Sequence, residues 1–383
     1  MKTIMPEYLS IVEHEDIKPL DQQFGRHPRK TAPDALRSIL FDEPKISRSE
    51  LQKWGATTNI PDMATYLVAD TTAFPDWESE VGRFASPARS LFIGEAEVAL
   101  GHAAPHLITL SDKDDFTRRL FTHLPAFGED ASVHHWHRPY GIIIRSRAGF
   151  DAVYTHLRRF TKLMDSEGGW YFRRFWEPRH SYFWLPLLTS DLQIAAKFFG
   201  RTSSSENALF HSISVPNGRR GRFLTATWHD DIFLDHEMAA RLPASHQQIL
   251  DASYLSLLDR ASQRESLEKI VGYLANAFPV RFSNHDDVRT RTGIFARDVR
   301  ELALQLGCSS ELGWARFASV AVCLGIGFPD DPRFMSRGLS RRRIGHDSQG
   351  EMGWMPLSPD GIAMCQTRGV EAQAEGEGIH GRS

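Results

Sequence analysis

Histidine is the residue type most able to do chemistry in this chain, and three segments hold it at suggestive spacings. His134-His135-Trp136-His137 is the densest. On a strand, His135 and His137 point to one face and could present two nitrogen ligands to a metal. A zinc site needs at least one more ligand, and no Cys, Asp or Glu follows at a familiar spacing. The expectation is therefore no metal and no cofactor, with His135 and His137 as the alternative pair. His102 and His106 have the i, i+4 spacing of a helical ligand pair, but Pro105 breaks such a helix. His229-Asp230-Asp231 sets a base beside carboxylates, yet no nucleophile motif accompanies it, so it reads as a domain-linking loop. The chain has no G-x-S-x-G elbow, no G-x-x-x-x-G-K-[ST] loop, no G-x-G-x-x-G after a strand and no H-E-x-x-H. No residue is assigned a catalytic role.

The run from Trp170 to Arg179 (WYFRRFWEPR) carries more information. On a strand, Trp170, Phe172, Arg174 and Trp176 share one face while Tyr171, Arg173 and Phe175 share the other. Both faces are aromatic, which predicts a strand buried on both sides. Two arginines there must stack on rings and find carboxylates, because an unpaired buried charge is costly. Glu177 or Glu167 could serve, and the other reading of these arginines is partner binding. Arg337, Arg341, Arg342 and Arg343 form a basic cluster without the aromatics that nucleic-acid binding normally adds.

Four stretches must position these groups. Residues 1–62 read as an N-terminal arm with short helices at Pro33–Phe41 and after Ser47, where Glu50 completes a capping-box pattern that ends before Gly55. This arm is expected to pack on something larger without being a core. Residues 63–232 alternate. Strands are expected at Tyr66–Ala69, Arg89–Gly94, His106–Leu110, within Val133–Ile144 and at Trp170–Trp176. Helices are expected at Phe74–Phe84, after a Ser111/Asp114 cap, and from Phe150 to Met164. Ala208–Val215 and Phe223–Trp228 flank Asn217-Gly218 as a hairpin. This pattern predicts an α/β (α+β) lobe on a mixed sheet, with no strand order implied. Residues 233–332 switch to helical periodicity and read as a smaller all-helical C-terminal lobe, clearest from Val288 through Phe295 and Val299 to Leu306. Residues 333–383 lack periodicity and read as a disordered tail.

Composition bounds the function classes. The chain has 383 residues, and its 24 Phe and 9 Trp exclude a disordered protein. A formal net charge of −3 lacks the basic footprint of a dedicated nucleic-acid binder. Three cysteines, Cys308, Cys323 and Cys365, are too few for a disulfide framework or a Cys-rich zinc site. The first ten residues contain no apolar signal core, and no run approaches the roughly 18 apolar residues of a membrane span. A cytoplasmic globular protein is expected.

Several segments, taken in order, carry a family resemblance. Ser90–Gly94, Ala104-Pro105-His106-Leu107, Tyr140-Gly141-Ile142, Leu157-Arg158-Arg159-Phe160, Phe172–Arg179 and Phe198-Phe199-Gly200 resemble the adaptor domain of type VI secretion effector-loading proteins, the Tap/Tec adaptors. The family run is Arg-Phe-aromatic-acid-Pro-Arg, matched by Arg174 to Arg179 with Trp where Tyr is usual and Glu where Asp is usual. The resemblance covers about Met63 to Asp231. Gly293 to Arg297, Ser310-Glu311 and Gly325 to Pro332 resemble the C-terminal lobe that such adaptors often carry.

The resemblance implies a bacterial, cytoplasmic, non-enzymatic protein. It would bind a toxic effector, often by the effector's N-terminal region, and help mount it on the VgrG spike, with no cofactor, membrane or nucleic acid. Partner-binding residues are expected near the motif and the lobe junction: Arg173, Arg174, Trp176, Glu177, Arg179, Trp228 and Phe233. The effector is expected between the lobes, near His229 to Leu234. The competing class is a metal-dependent hydrolase using His135 and His137.

Overall fold

The computed structural model describes residues 7–81, 88–165, 167–247, 249–277 and 288–305, with 314, 317, 318 and 321. Its strands are β1 (Leu9–His14), β2 (Ala64–Ala69), β3 (Ala88–Ser90), β4 (His106–Leu110), β5 (Gly141–Ser146), β6 (Lys162–Asp165), β7 (Trp170–Phe172), β8 (Ser212–Asn217), β9 (Arg222–Trp228) and β10 (Ile249–Leu250). The helices that matter here are α1 (Asp34–Leu40), α2 (Arg48–Trp54), α3 (Trp77–Val81), α4 (Glu95–Leu100), α5 (Asp115–Leu120), α6 (Phe150–Arg158), α7 (Pro178–Trp184), α8 (Leu192–Phe199), α9 (His236–Ala239) and α10 (Ala252–Ala277). A further helix covers Val288–Gln305. The chain forms two compact units, Met1–Ser262 and Gln263–Ser383.

The first unit is built on a seven-stranded sheet in the order β1-β9-β8-β5-β2-β4-β3. The α/β class expected from the alternating pattern holds. Every pair in this sheet is antiparallel, however, while β10 pairs parallel with β6 in a second sheet, β10-β6-β7. The central strands β2 and β5 are apolar on both faces. Tyr66, Val68, Ile142 and Ile144 join one core cluster, and Leu67, Ala69 and Ile143 join the other. α6, α7 and α8 cover the first face with Val153, Leu157, Trp184, Phe198 and Phe199. α1 and α5 cover the second with Leu36, Leu40, Phe116 and Leu120. Gly141 lets β5 lie against β2: its φ is +136°, and a Cβ there would meet the Val68 carbonyl oxygen at 2.0 Å.

The N-terminal stretch is part of this core, which corrects the reading of it as an arm. β1 pairs with β9 from Leu9↔Trp228 to His14↔Phe223, and Leu36 and Leu40 are fully buried. The Ser47/Glu50 capping box is present, and Gly55 ends α2 at φ +74°. The hairpin around Asn217-Gly218 is also present, with Asn217 paired to Arg222. Other boundaries move. Asp114, not Ser111, is the N-cap of α5. The helix expected to reach Met164 stops at Arg158, and Lys162–Asp165 turns into strand β6. Ile249 and Leu250 are strand rather than helix.

In the second unit, Ile270, Leu274, Val299, Ala303, Trp314 and Phe317 are buried, and the Arg300 guanidinium lies 4.5 Å from the Trp314 ring centre. The arginine cluster 337–343, Ser310-Glu311, Gly325 to Pro332 and the expected tail lie outside the described residues. Among the described residues no helix is long and apolar enough to cross a membrane.

Candidate functional site

The β6–β7 hairpin of the first unit exposes three adjacent aromatic side chains. The Asp165 carboxylate accepts from the backbone N–H groups of Glu167 and Gly169 at 2.9 and 2.7 Å, and Gly168 takes φ +88°. That closes a tight turn which pairs Met164 with Trp170 and Lys162 with Phe172. β7 is the edge of its sheet. Its three side chains are exposed: Trp170 63%, Tyr171 53% and Phe172 50%. This corrects the expectation of a strand buried on both faces. Among the described residues no second layer covers the strand, because the chain leaves the sheet after Phe172 and turns into α7, with Pro178 at its first turn.

Beside the hairpin runs a groove of about 700 Å³ whose apolar lining comes from Leu91, Phe92, Ile93, Ala96, Met164 and Trp170. The Phe92 and Phe172 rings sit 5.5 Å apart, and Ile93 is half exposed. The charged side chains lining the groove are Arg158, Arg159 and Lys162, and no carboxylate lines it. Apolar side chains beside three cations suit an apolar segment flanked by acidic residues.

The residues singled out from sequence divide by burial. Arg173, Trp176, Trp228 and Phe233 are interior, so in this structure they hold the fold and present no surface. Trp176 sits in the main core cluster, and Trp228 stacks between Phe199 and Phe233 at centroid distances of 5.4 and 5.5 Å. Arg174, Glu177 and Arg179 reach the surface. Arg174 found its carboxylates, Asp70 at 2.9 Å and Glu177 at 3.6 Å. Arg173 did not. Its guanidinium lies over Trp184, Tyr254 and Phe198 at 3.9, 5.0 and 5.6 Å, and none of its three side-chain nitrogens has a hydrogen-bond partner among the described residues. Burial pushes its pKa down to about 9, which leaves it charged at neutral pH.

The structure separates the expected His135/His137 pair. Residues 133–139 form irregular turns rather than a strand, so the alternation argument does not apply. His135 is buried against Phe74 and Phe116, with its Nε2 3.8 Å from Glu80. Glu80 in turn binds Arg119 through two 2.6 Å bonds. Burial, with Arg119 next in weight, pushes the His135 pKa down to about 3. His137 instead faces His134 and His123.

His229, Asp230 and Asp231 tie elements together. His229 bonds Ser10, and Asp230 accepts from Arg201, Trp228 and the Ala208 N–H. Asp231 accepts from the Arg48 and Ser49 N–H groups at the start of α2. Burial raises the Asp230 pKa despite Arg201.

Sequence reading missed the exposed Trp170, Tyr171 and Phe172 and their groove. The Gly168-Gly169 turn was the available signal, since it folds this segment back as an edge hairpin.

A family model described as a domain of unknown function, DUF4123, matches residues 65–193, from β2 to the first turn of α8. No curated protein matches the chain. No solved structure matches it. The β6–β7 hairpin and most of its groove lie within the matched segment, so the likeness to DUF4123 covers the site.

Proposed function

We propose that this protein is a non-catalytic adaptor that grips a type VI secretion effector and helps load it onto the VgrG spike. The observation that carries the reading is the exposed aromatic edge strand Trp170–Phe172 beside a groove lined by apolar and cationic side chains. An edge strand offers unpaired backbone groups, and three adjacent exposed aromatics are costly to leave in water without a purpose. An extended effector segment would add to the β7 edge and place apolar side chains beside Phe92 and Ile93. Its acidic residues would meet Arg158, Arg159 and Lys162.

Two further observations support the reading. The DUF4123 family, whose model matches residues 65–193, is associated with type VI secretion effector adaptors. The ordered motifs from Ser90 to Gly200 resemble the same adaptors. Loading before the machine fires sets this work in the bacterial cytoplasm, and release of cargo calls for modest affinity.

The test is co-expression with the effector genes of the source organism, capture on a tag, and mass spectrometry of what is retained. The full chain should retain one large toxin-like partner. A Trp170→Ala/Tyr171→Ala/Phe172→Ala variant should stay folded and lose that partner. Retention of the partner at the level of the unaltered chain would refute the hairpin as the grip. Failure of the unaltered chain to retain any effector would refute the adaptor reading itself.

A further inference from the structure

Three histidines from two separate stretches meet in the first unit. His123 follows α5, while His134 and His137 sit in the irregular segment before β5. Backbone bonds hold both stretches. His123 N–H donates to the Leu20 carbonyl at 3.0 Å, His135 N–H to Arg119 at 2.8 Å and Trp136 N–H to Thr122 at 3.2 Å. Trp136 packs on Phe121, and its carbonyl lies so close to Gly218 that a Cβ there would approach to 1.8 Å. These contacts pin the backbone. Ring centroids are 4.8 Å apart for His134 and His137, 5.5 Å for His123 and His137, and 5.6 Å for His123 and His134. One ligand nitrogen of each lies within 4.8 Å of the others.

Hydrogen bonding assigns the proton in two of the rings. His134 Nε2 bonds the Gly128 carbonyl at 2.9 Å, and His137 Nε2 bonds the Glu129 carbonyl at 3.0 Å. A carbonyl only accepts, so each Nε2 carries the proton and each Nδ1 keeps its lone pair. The Nδ1 atoms of His123, His134 and His137 are all buried without a hydrogen-bond partner among the described residues. Three buried ring nitrogens without a partner, two of them acceptors, are costly to hold together. A metal ion would satisfy these lone pairs together, and outer-nitrogen bonds to carbonyls are the usual support of metal-binding imidazoles.

We propose that His123, His134 and His137 bind one first-row transition metal ion of the zinc class, which staples the loop before β5 to the end of α5. Imidazole donors suit zinc, cobalt, nickel or copper and not calcium or magnesium. Three protein nitrogens leave a fourth position for water. Zinc–nitrogen bonds of about 2.0–2.1 Å bring ligand nitrogens to about 3.3 Å from one another, so the rings turn inward on binding. Arg138 opposes a cation here and Asp130 lies 3.8 Å from it, while Glu129 faces Arg219 at 3.4 Å. The site shares no residue with the groove beside β7.

The experiment strips the full chain with a chelator, removes the chelator, and titrates Co²⁺ while recording visible absorption. The expected result is one equivalent bound with the intense bands of a four- or five-coordinate ion, displacement by Zn²⁺, and a higher melting temperature with Zn²⁺. Loss of an outer-sphere partner alone weakens metal binding 10–100-fold, so His134→Ala or His137→Ala should weaken Co²⁺ binding by at least about 100-fold. His102→Ala, at an exposed position, should leave binding unchanged. Circular dichroism establishes that the variants are folded. A weak six-coordinate spectrum, or no saturable binding by the unaltered chain, overturns the proposal even if the variants fail to fold. So does undiminished Co²⁺ binding by a folded His134→Ala or His137→Ala protein.

Discussion

The guanidinium of Arg173 lies 3.9 Å from the ring centre of Trp184, buried and held by aromatic rings where a carboxylate would be usual. It therefore contributes volume and cation–π attraction at the cost of a desolvated charge. Arg173→Met keeps most of the volume and removes the charge. It should change stability by less than about 1.5 kcal/mol and in the stabilising direction, whereas Arg173→Ala should cost about 2–5 kcal/mol through the cavity. Urea unfolding of the two variants checks this. Equal losses would show that the charge itself matters.

Acid should weaken the first unit through His156 and His211. Burial pushes their pKa values down to about 3 and about 4, with His246 and Arg159 acting on the first and Arg145 next in weight on the second. His156 Nε2 bonds the Phe198 carbonyl at 3.0 Å inside the core. The unfolded chain binds these protons first, so the contribution is full above about pH 6.5 and is lost as pH falls toward the folded values. Each group should remove about 1 kcal/mol per pH unit within that window. Denaturant midpoints measured from pH 7.5 down to 4.5 should fall, and a folded His156→Leu protein should show a shallower slope.

Gly141→Ala should cost about 3 kcal/mol or more, because positive φ and a 2.0 Å approach to the Val68 carbonyl act together. A melting temperature close to that of the unaltered chain would show that β2 and β5 can separate without cost.

The cationic side chains of the groove should act on association more than on folding. Lys162→Glu, at an exposed position, should change stability by less than about 0.5 kcal/mol and weaken effector capture. Raising salt should weaken capture by the unaltered chain and affect the variant less. Identical salt responses would remove the charge argument from the groove.

Much of the fold was legible from local pattern. The capping box at Ser47 and Glu50, the hairpin at Asn217-Gly218 and the apolar run Gly141–Ile144 each rest on neighbours within a few residues, and each is present. The strand β1 was not legible, since Leu9–His14 mixes apolar and charged residues and gains its meaning only from pairing with β9. Trp170–Trp176 misled for a related reason. Alternation identifies which side chains share a face, but whether a layer covers that face depends on where the chain goes next.

The histidines make the same division. Residue types alone made His134 to His137 the most tempting metal signal in a chain expected to hold none, and a strand period then chose His135 and His137 as the alternative pair. The backbone instead turns there, which places His135 beside Glu80 and brings His134 and His137 to His123. From its sequence alone this chain determined its α/β class, its local caps and turns, and the aromatic and histidine content of its sites. Which aromatics face water, which of Arg173 and Arg174 meets a carboxylate and which three imidazoles converge were decided by tertiary structure. Burial and long-range approach are properties of packed elements, and residues far apart in the chain acquire them only when the sheet and its covering helices come together.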